Sequence, residues 1–413
     1  MKLFDKLFEY LIYLYIIILP LTPSKFKIWK IPFNGDVILA VIILAYLIKI
    51  IIDGNSQRRF VKGFKDFLTH SLGISMGLII LVMFCSVLYS MDMKMAIKES
   101  ARFLSFIILF FIIKYDVSDK KVLGNIIKIY FVVCFAIFSI GIFDYTTALI
   151  RVGNAEYINQ LRTVSTLENA NNLATFAIIS LFPSVTLLIG DKSWKNKIIY
   201  GLISIMALAN IVVSFSRSAL LGVMIGCILI TFLYSYKFII AFIITGGAAF
   251  LIPVTRLRLL QIADMSQNVS RIKVWKTAVY MIKDHLLLGV GNGNFYTQYN
   301  GYIEKHPELV NTYDSIQVLH PHNIFLKIQC ELGIMGSLAF LGIIVSIFRD
   351  LVKYIKIEKN PFFRTFYRGF LISIIVFMIM NLIDNFFSAP KVIAFFWIFI
   401  SIFESLDYNK KCF

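Results

Sequence analysis

The chain reads RIKVWKTAVYMIKDHLLLGVGNGNF from Arg271 to Phe295, and HPHNIFLKIQCELGIMG from His320 to Gly336. The whole stretch from Arg271 to Gly336 holds four of the five histidines and is the longest polar interruption in an apolar sequence. Polar groups without partners are costly inside a lipid bilayer, so the bilayer gains nothing from such a segment. We therefore expect the flanking apolar segments to span a membrane and this stretch to carry the chemistry.

The composition of the whole chain agrees with that expectation. Of 413 residues, 59% are hydrophobic and 16% are charged, and the mean hydropathy is +0.79. A soluble domain is only about half apolar. Apolar runs of about 20 residues, long enough to cross the hydrocarbon of a bilayer, recur along the chain, and the alternating pattern of a membrane barrel does not. The sequence predicts an all-α integral membrane protein.

Hydropathy predicts about 12 transmembrane helices. The first is interpreted as a span rather than a signal peptide, because no small-residue cleavage site follows it. Three regions result: nine spans in 1–253, a polar segment in 254–322, and three spans with a tail in 323–413. The predicted spans are 5–21, 36–52, 72–90, 100–114, 124–149, 172–190, 198–214, 218–235, 238–253, 323–348, 366–387 and 391–406.

Lysine and arginine are concentrated in alternate loops, and this bias predicts the orientation. Clusters at 58–65, 192–197 and 349–364 fall on one side together with both termini. We assign that side to the cytoplasm, so 254–322 forms one large loop that faces outward. The formal net charge of +17 comes mostly from the lysines and arginines of these loops. We interpret them as topology signals that also contact anionic membrane lipids. Outside the spans, the sequence contains no basic helix with interleaved stacking aromatics. Nucleic acid is therefore not indicated as a partner.

Two apolar runs meet with almost no loop in VSFSRSALL, from Val213 to Leu221. The tight re-entry places Arg217 at the start of a helix on the outer side. Helix starts present unpaired N–H groups and partial positive charge, which together with an arginine suit a phosphate. The alternative is that Ser216 caps the helix and Arg217 reaches lipid headgroups.

Arg271 begins a predicted amphipathic helix, in which Val274, Ala278 and Met281 recur at helical spacing in a pattern suited to a membrane surface. The GVGNGNF that follows, Gly289 to Phe295, is not interpreted as a nucleotide loop, because it follows a helix and lacks GxGxxG spacing. We interpret it as a glycine-shaped turn that holds the loop against the spans.

His320, His322 and Asn323 precede the span 323–348. An imidazole can take a proton from a sugar hydroxyl near neutral pH, and His322, adjacent to the helix start, is the best candidate. A capping or hydrogen-bonding histidine is the alternative. A zinc site is not indicated, because no third ligand is evident and the five cysteines form no CxxC or Cys/His cluster. Glu331 lies inside the span, where we expect it to pair with an arginine or to line a polar cavity.

Amide side chains are concentrated in TLENANNL, from Thr166 to Leu173, just before the span 172–190. Asn171 and Asn172 are the candidates here. They either bind sugar hydroxyls or belong to an ordinary helix-start cluster.

Taken together, these features resemble the O-antigen ligase and O-antigen polymerase superfamily of bacterial membrane glycosyltransferases. The resemblance covers nearly the whole chain through the twelve-span plan with a large outward loop between spans nine and ten. Its specific marks are SRSALLG from Ser216, the Arg271–Trp275 pair that leads to DHLLLGVGNGNF, and HPHNIFLKIQCELGIMG from His320. This chain departs from the family's loop pattern where Leu286 or Leu287 stands in place of a proline.

The resemblance implies a GT-C-like fold in the cytoplasmic (inner) membrane, with an active site that faces outward. It implies a donor glycan on undecaprenyl diphosphate and a glycan or lipid as acceptor. Arg217 and Arg271 would contact the diphosphate and His322 would activate the acceptor hydroxyl. No cofactor or metal is implied, and a single displacement would invert the anomeric centre.

The expected activity is that of a ligase, which attaches the glycan to lipid A core or to another envelope acceptor. The first alternative is a polymerase that joins lipid-linked repeat units. A transporter or flippase is a further alternative, but such a protein places charged or glycine-broken spans near the bilayer midplane. The candidate residues in this sequence are instead predicted at the outer face.

Overall fold

The computed structural model describes residues 2–23, 27–28, 31–152, 161–234, 240, 247, 256, 269–310 and 318–412. Apart from one antiparallel pair of two-residue strands, Lys27–Ile28 and Ile31–Pro32, these ranges are built from helices and their connections. The helices are α1 (Lys2–Leu21), α2 (Gly35–Ile52), α3 (Gly54–Thr69), α4 (Ser71–Ser86), α5 (Met93–Tyr115), α6 (Lys120–Val152), α7 (Ala170–Gly190), α8 (Trp194–Ser214), α9 (Arg217–Leu233), α10 (Val269–Asp284), α11 (Phe295–Lys305), α12 (Ile324–Ile357), α13 (Pro361–Met380) and α14 (Pro390–Cys412). Single 3-10 turns occur at Val87–Tyr89, Ser165–Leu167, Pro307–Leu309 and Phe386–Ser388.

Eight helices in the described ranges are long and apolar enough to cross a membrane. They are α2, α4 with the turn that follows it, α6, α7, α8, α12, α13 and α14. The apolar helix α9 is shorter, with 17 residues. Apart from the strand pair, the described part of the chain is therefore helical, and its apolar helices are those of a membrane protein, as the composition predicts.

The count of about twelve spans stays a prediction. Helices α1 and α5 correspond to the predicted spans 5–21 and 100–114, and each carries several charged residues in its first half. The predicted span 238–253 lies outside the described residues, except for Ile240 and Gly247. The GT-C-like arrangement and the boundaries of the outward loop also stay predictions.

The predicted span 366–387 has the wrong ends. Helix α13 begins earlier, because Asn360 caps it by accepting hydrogen bonds from the backbone N–H groups of Phe362 and Phe363, at 3.0 and 3.4 Å. It ends at Met380, and residues 381–389 form an irregular connection to α14. Asn381 stabilises this connection by accepting the N–H of Phe386 at 2.8 Å. We call residues 381–389 the α13–α14 loop.

Helices α14 and α7 form the centre of the bundle. Within their apolar spans, 83% and 78% of residues are buried, against 33% in α2 and in α8. Helix α7 packs against α8 and α13, α12 packs along α4, and α14 packs along α5. The less buried helices lie at the periphery, where their exposed apolar side chains suit contact with lipid.

A second, smaller core lies beside the bundle and includes Val274, Ala278 and Met281 of α10, Phe295 and Tyr299 of α11 and Cys330 of α12. The helix predicted from the spacing of α10 is confirmed. Its apolar face packs against α11 and α12, so the expectation that this face lies on the membrane surface is wrong.

Helix α12 is kinked at Gly333, which adopts φ +63°. A Cβ atom at Gly333 would lie 2.1 Å from the carbonyl oxygen of Leu287. The kink leaves backbone groups of α12 without helical partners, and the segment before α11 supplies them. Val290 N–H donates to Cys330 C=O and Gly291 N–H donates to Glu331 C=O, both at 2.9 Å. These contacts agree with the interpretation of GVGNGNF as a turn held against the spans.

Candidate active site

The connection between α8 and α9 is a two-residue hinge. Phe215 adopts a left-handed conformation, with φ +52°, and Ser216 is followed directly by the helical Arg217. The tight re-entry predicted from VSFSRSALL is thus present. Ser216 is at the N-cap position, but within the described chain its side chain forms no cap hydrogen bond and lies 3.1 Å from Ser218 Oγ. Ser216 is therefore the N-cap residue by position, without a side-chain cap hydrogen bond, and the two interpretations of Arg217 stay predictions.

Arg162 connects this hinge to α7. Its Nε donates to the carbonyl oxygen of Ser214 at 3.0 Å, and its Nη2 donates to Asn171 Oδ1 at 2.7 Å. The neighbouring Thr163 N–H donates to Val213 C=O at 3.2 Å. The segment that carries Arg162 is thereby fixed against the C-terminal end of α8, three residues before Arg217.

Asn171 continues the connection to the α13–α14 loop. Its Nδ2 donates to Asp384 Oδ2 at 3.1 Å. The other oxygen of Asp384 accepts the N–H of Asn385 at 2.9 Å and lies 3.3 Å from His322 Nδ1. A chain of hydrogen bonds therefore runs from the α8–α9 hinge through Arg162, Asn171 and Asp384 to His322.

The first turn of α12 is fixed to the same loop, which explains how His322 reaches Asp384. Ile324 N–H donates to Asn381 C=O at 2.9 Å, and Lys327 Nζ donates to Ser388 Oγ at 3.2 Å. His322 itself adopts φ +49°, an uncommon conformation for a residue with a side chain. Its side chain is 40% exposed, whereas that of Asp384 is 12% exposed, so the base is accessible and its partner is not.

The charge of Asp384 determines which nitrogen of His322 carries the proton. Burial alone would raise the pKa of the Asp384 carboxyl. The hydrogen bond and charge of His322, with the charge of Arg271, outweigh burial and hold that pKa below its ordinary value. A carboxylate only accepts hydrogen bonds, so the adjacent Nδ1 carries the proton and a neutral His322 presents an unprotonated Nε2.

His320 lies against His322, with ring centroids 4.4 Å apart and planes inclined at 62°. Its Nδ1 accepts the backbone N–H of His322 at 3.2 Å. Burial and the charges of His322 and Lys327 lower the pKa of His320 to about 3. His320 is therefore neutral near pH 7 and positions the backbone of His322.

Arg271 lies in the first turn of α10, and its charge is one of the causes that lower the pKa of Asp384. Arg217 and Arg271, the two arginines predicted from the sequence, are both connected to this hydrogen-bond chain, but by different interactions. Arg271 acts on Asp384 through its charge, while Arg217 begins the helix whose hinge is joined to Asp384 through Arg162 and Asn171.

Glu331 is buried in α12 and lines a cavity of about 50 Å³. Its Oε2 accepts the N–H of Gly293 at 2.8 Å and lies 3.7 Å from Lys327 Nζ. The expectation of an arginine partner is wrong, because Arg102, which also lines the cavity, pairs with Glu99 at 2.8 Å. The cavity that Glu331 lines contains the polar side chains of Glu99, Arg102 and Lys327 but more apolar than polar residues, so the alternative expectation, a polar cavity, stays a prediction.

The remaining amides divide into two groups. Asn323 caps α12 by accepting the N–H groups of Phe325 and Leu326, and Asn172 donates to Leu167 C=O at 3.4 Å. Both therefore stabilise local structure. Asn171 alone among the predicted amides joins the hydrogen-bond chain.

Sequence reasoning missed Asp384. Arg162 is one of several arginines on the predicted outer side, and the sequence indicates no partner for it. The available signal for Asp384 was an acidic residue between amides in NLIDN, from Asn381 to Asn385, directly after an apolar run. In the part of the chain that the structure describes, no three His, Cys, Asp or Glu side chains are arranged to hold a metal ion. A reaction without a metal stays a prediction.

Comparison with known proteins relates these residues to a known family. Residues 202–341 match the family model described as O-antigen ligase. The chain is also similar to the teichuronic acid biosynthesis protein TuaE of Bacillus subtilis (strain 168), with 23% identity over 342 residues that cover 77% of this chain and 67% of that protein. These matches support the O-antigen ligase superfamily as the one that this chain resembles. The resemblance drawn from the sequence is confirmed, and at that level the chain is a glycosyltransferase-like membrane protein.

The O-antigen ligase match includes Arg217, Arg271 and His322. Asn171 and Asp384 lie on either side of the matched range. The hydrogen-bond chain therefore joins residues inside the O-antigen ligase match to partners outside it.

Proposed function

We propose that this protein transfers a glycan from undecaprenyl diphosphate to an acceptor hydroxyl on the outer side of the cytoplasmic membrane. The observation that carries the proposal is the pairing of His322 Nδ1 with Asp384 Oδ1 at 3.3 Å, at the end of a hydrogen-bond chain from the hinge of Arg217. A base with an oriented proton and nearby cations is what displacement of a diphosphate requires.

In the proposed reaction His322 is the general base. Its unprotonated Nε2 takes the proton of the acceptor hydroxyl while the oxygen attacks the anomeric carbon of the donor. Asp384 holds the ring in the required tautomer and stabilises the imidazolium that forms, because a carboxylate beside Nδ1 favours the charged ring.

The leaving group in this reaction is the lipid diphosphate. A bond forms between the acceptor oxygen and the anomeric carbon, and the bond from that carbon to the phosphate oxygen breaks with its electron pair on the diphosphate. Arg217 and Arg271 stabilise the developing negative charge, so the leaving group needs no proton. One displacement inverts the anomeric centre.

The acceptor distinguishes two versions of this function. In the ligase version the hydroxyl belongs to lipid A core or another envelope acceptor, and in the polymerase version it belongs to a second lipid-linked repeat unit. The relative's name refers to teichuronic acid biosynthesis, which supports a role in envelope polysaccharide biosynthesis and keeps the polymerase version as the second candidate.

The test is an assay of the purified full-length protein with an undecaprenyl-diphosphate-linked oligosaccharide, with and without a separate acceptor. A glycan joined to the added acceptor supports the ligase version, and products longer by whole repeat units support the polymerase version. Transport of the intact lipid-linked glycan across proteoliposomes, without a new glycosidic bond, would overturn the proposed function.

A further inference from the structure

A large cavity lies at the opposite end of the membrane helices from the candidate active site. It has a volume of about 870 Å³ and lies between the first turns of α6, α8 and α13. Helix α8 begins beside this cavity, is 21 residues long and ends at Ser214, directly before the α8–α9 hinge. At 1.5 Å per residue, the two places are about 30 Å apart along the helix, the thickness of a membrane's hydrocarbon core.

The lining of this cavity changes from basic to apolar along α6. Lys120, Lys121 and Lys128 line the part near the start of α6. Val132 and Phe135 line it further along the helix, and Leu202 of α8 also belongs to the lining. Val132 is 69% exposed, so the apolar part is an open groove rather than a closed core. From Lys120 to Phe135 the groove extends about 22 Å. That length covers one leaflet of a bilayer, headgroup included.

The basic end carries an excess of positive charge. Among the described residues, none of Lys120, Lys121 and Lys128 forms an ion pair. The carboxylate that lines the cavity is Asp191, whose oxygens accept the Ser193 N–H at 2.7 Å and Asn196 Nδ2 at 3.0 Å. One carboxylate, already bound by two donors, does not neutralise three lysines.

Lys128 is the most informative of the three. It lies eight residues, or about 12 Å, into the span from Lys120, and its side chain is exposed rather than buried in the bundle. A charged side chain at that depth is costly unless its ammonium reaches toward the interface or meets an opposite charge. An anionic group held at the basic end of the groove provides that charge.

We propose that this groove binds an anionic diacyl phospholipid from the leaflet opposite the candidate active site. The lipid phosphate lies among Lys120, Lys121 and Lys128, and the acyl chains lie along Val132, Phe135 and Leu202. The apolar part of the groove is open to any lipid, and the lysines select those that carry negative charge. This site is independent of the proposed transfer reaction.

Native mass spectrometry of the detergent-purified full-length protein tests the proposal, with phosphatidylglycerol and phosphatidylcholine as the two probes. The groove variant combines Lys120→Gln, Lys121→Gln and Lys128→Gln. The control variant makes the same change in charge at three exposed lysines outside the groove, with Lys62→Gln, Lys65→Gln and Lys353→Gln. A third variant, Val132→Trp, fills the apolar part and keeps all charges.

The unmodified protein should retain phosphatidylglycerol in preference to phosphatidylcholine. Each lysine near an anionic headgroup is worth about a fivefold change in affinity, so the groove variant should bind phosphatidylglycerol roughly 100-fold more weakly. The control variant should bind it as the unmodified protein does, and Val132→Trp should weaken binding of both lipids. Equal phosphatidylglycerol binding by groove and unmodified proteins, or equal loss in groove and control variants, would overturn the site.

Discussion

His322 Nδ1 lies 3.3 Å from Asp384 Oδ1, although the two residues are 62 positions apart and lie on opposite sides of α12 and α13 in the sequence. The contact pairs an accessible imidazole with a shielded carboxylate. For Nε2 of the neutral ring to act as a base, Nδ1 must carry the proton, and the contact with Asp384 favours that tautomer.

Asp384→Asn should lower the rate of glycan transfer by about 10²- to 10⁴-fold, because an amide can donate to Nδ1 and so favour the wrong tautomer. The effect should fall on kcat rather than on KM for the lipid donor. Transfer kinetics of the purified variant check this. Asp144→Asn, at an exposed acid on α6, is the matched control and should leave the rate unchanged. A fully active Asp384→Asn protein would exclude tautomer control.

Neighbouring asparagines should behave differently. Asn171→Ala removes the donor to Asp384 and the acceptor of Arg162, and should lower transfer roughly 10- to 100-fold, since hydrogen bonds to charged groups are involved. Asn172→Ala removes a single 3.4 Å contact with Leu167 C=O and should keep near-normal activity. The comparison is made at equal amounts of folded protein. Equal rates for the two variants would show that the hydrogen-bond chain does not matter.

Arg217→Lys and Arg271→Lys keep the positive charge but lose the planar group that can form two parallel hydrogen bonds with a phosphate. Each should lower kcat/KM for the lipid diphosphate donor about 10- to 100-fold. Arg151→Lys, at the exposed end of α6, should have no such effect. Full activity of both site variants would exclude bidentate contact with the diphosphate.

His320 predicts a pH dependence of stability. Its folded pKa, about 3, lies below the ordinary value of 6.5, so between these values the unfolded chain binds a proton that the folded protein does not. The contribution of His320 is therefore fully present above pH 6.5 and falls as the pH decreases toward 3. By pH 5 the loss should reach at most about 2 kcal/mol.

Thermal unfolding in detergent at pH 7 and pH 5 measures this effect. The His320→Gln variant lacks the titrating group and can still accept the His322 N–H, so it should lose less stability than the unmodified protein on acidification. An identical pH dependence in both proteins would contradict the lowered pKa.

The sequence predicted the parts of the site that depend on local pattern. The hinge before Arg217, the helix after Arg271 and the helix start after His322 follow from apolar runs and their interruptions, and the structure contains all three. Each is determined by residues close together in the chain, where periodicity and helix-start chemistry are informative.

The contacts between distant segments did not follow from the sequence. Asp384 meets His322 because Ile324 N–H binds Asn381 C=O and because α13 ends at Met380, whereas hydropathy carried the predicted span on to residue 387. The kink of α12 at Gly333 likewise depends on a distant segment, because N–H groups of the residues before α11 donate hydrogen bonds to carbonyl oxygens of α12. A single sequence contains no signal for such pairings, since they arise from packing rather than from local pattern.

The most direct measurement compares His322→Ala with the matched control His285→Ala, at an exposed histidine near the end of α10, in transfer from an undecaprenyl-diphosphate-linked glycan. Insertion and folding of both variants are verified by size-exclusion chromatography and thermal unfolding. The proposed function predicts a loss of about 10²- to 10⁴-fold in His322→Ala and an unchanged rate in His285→Ala. Transfer at the normal rate by a folded His322→Ala protein would contradict the assignment of His322 as the general base.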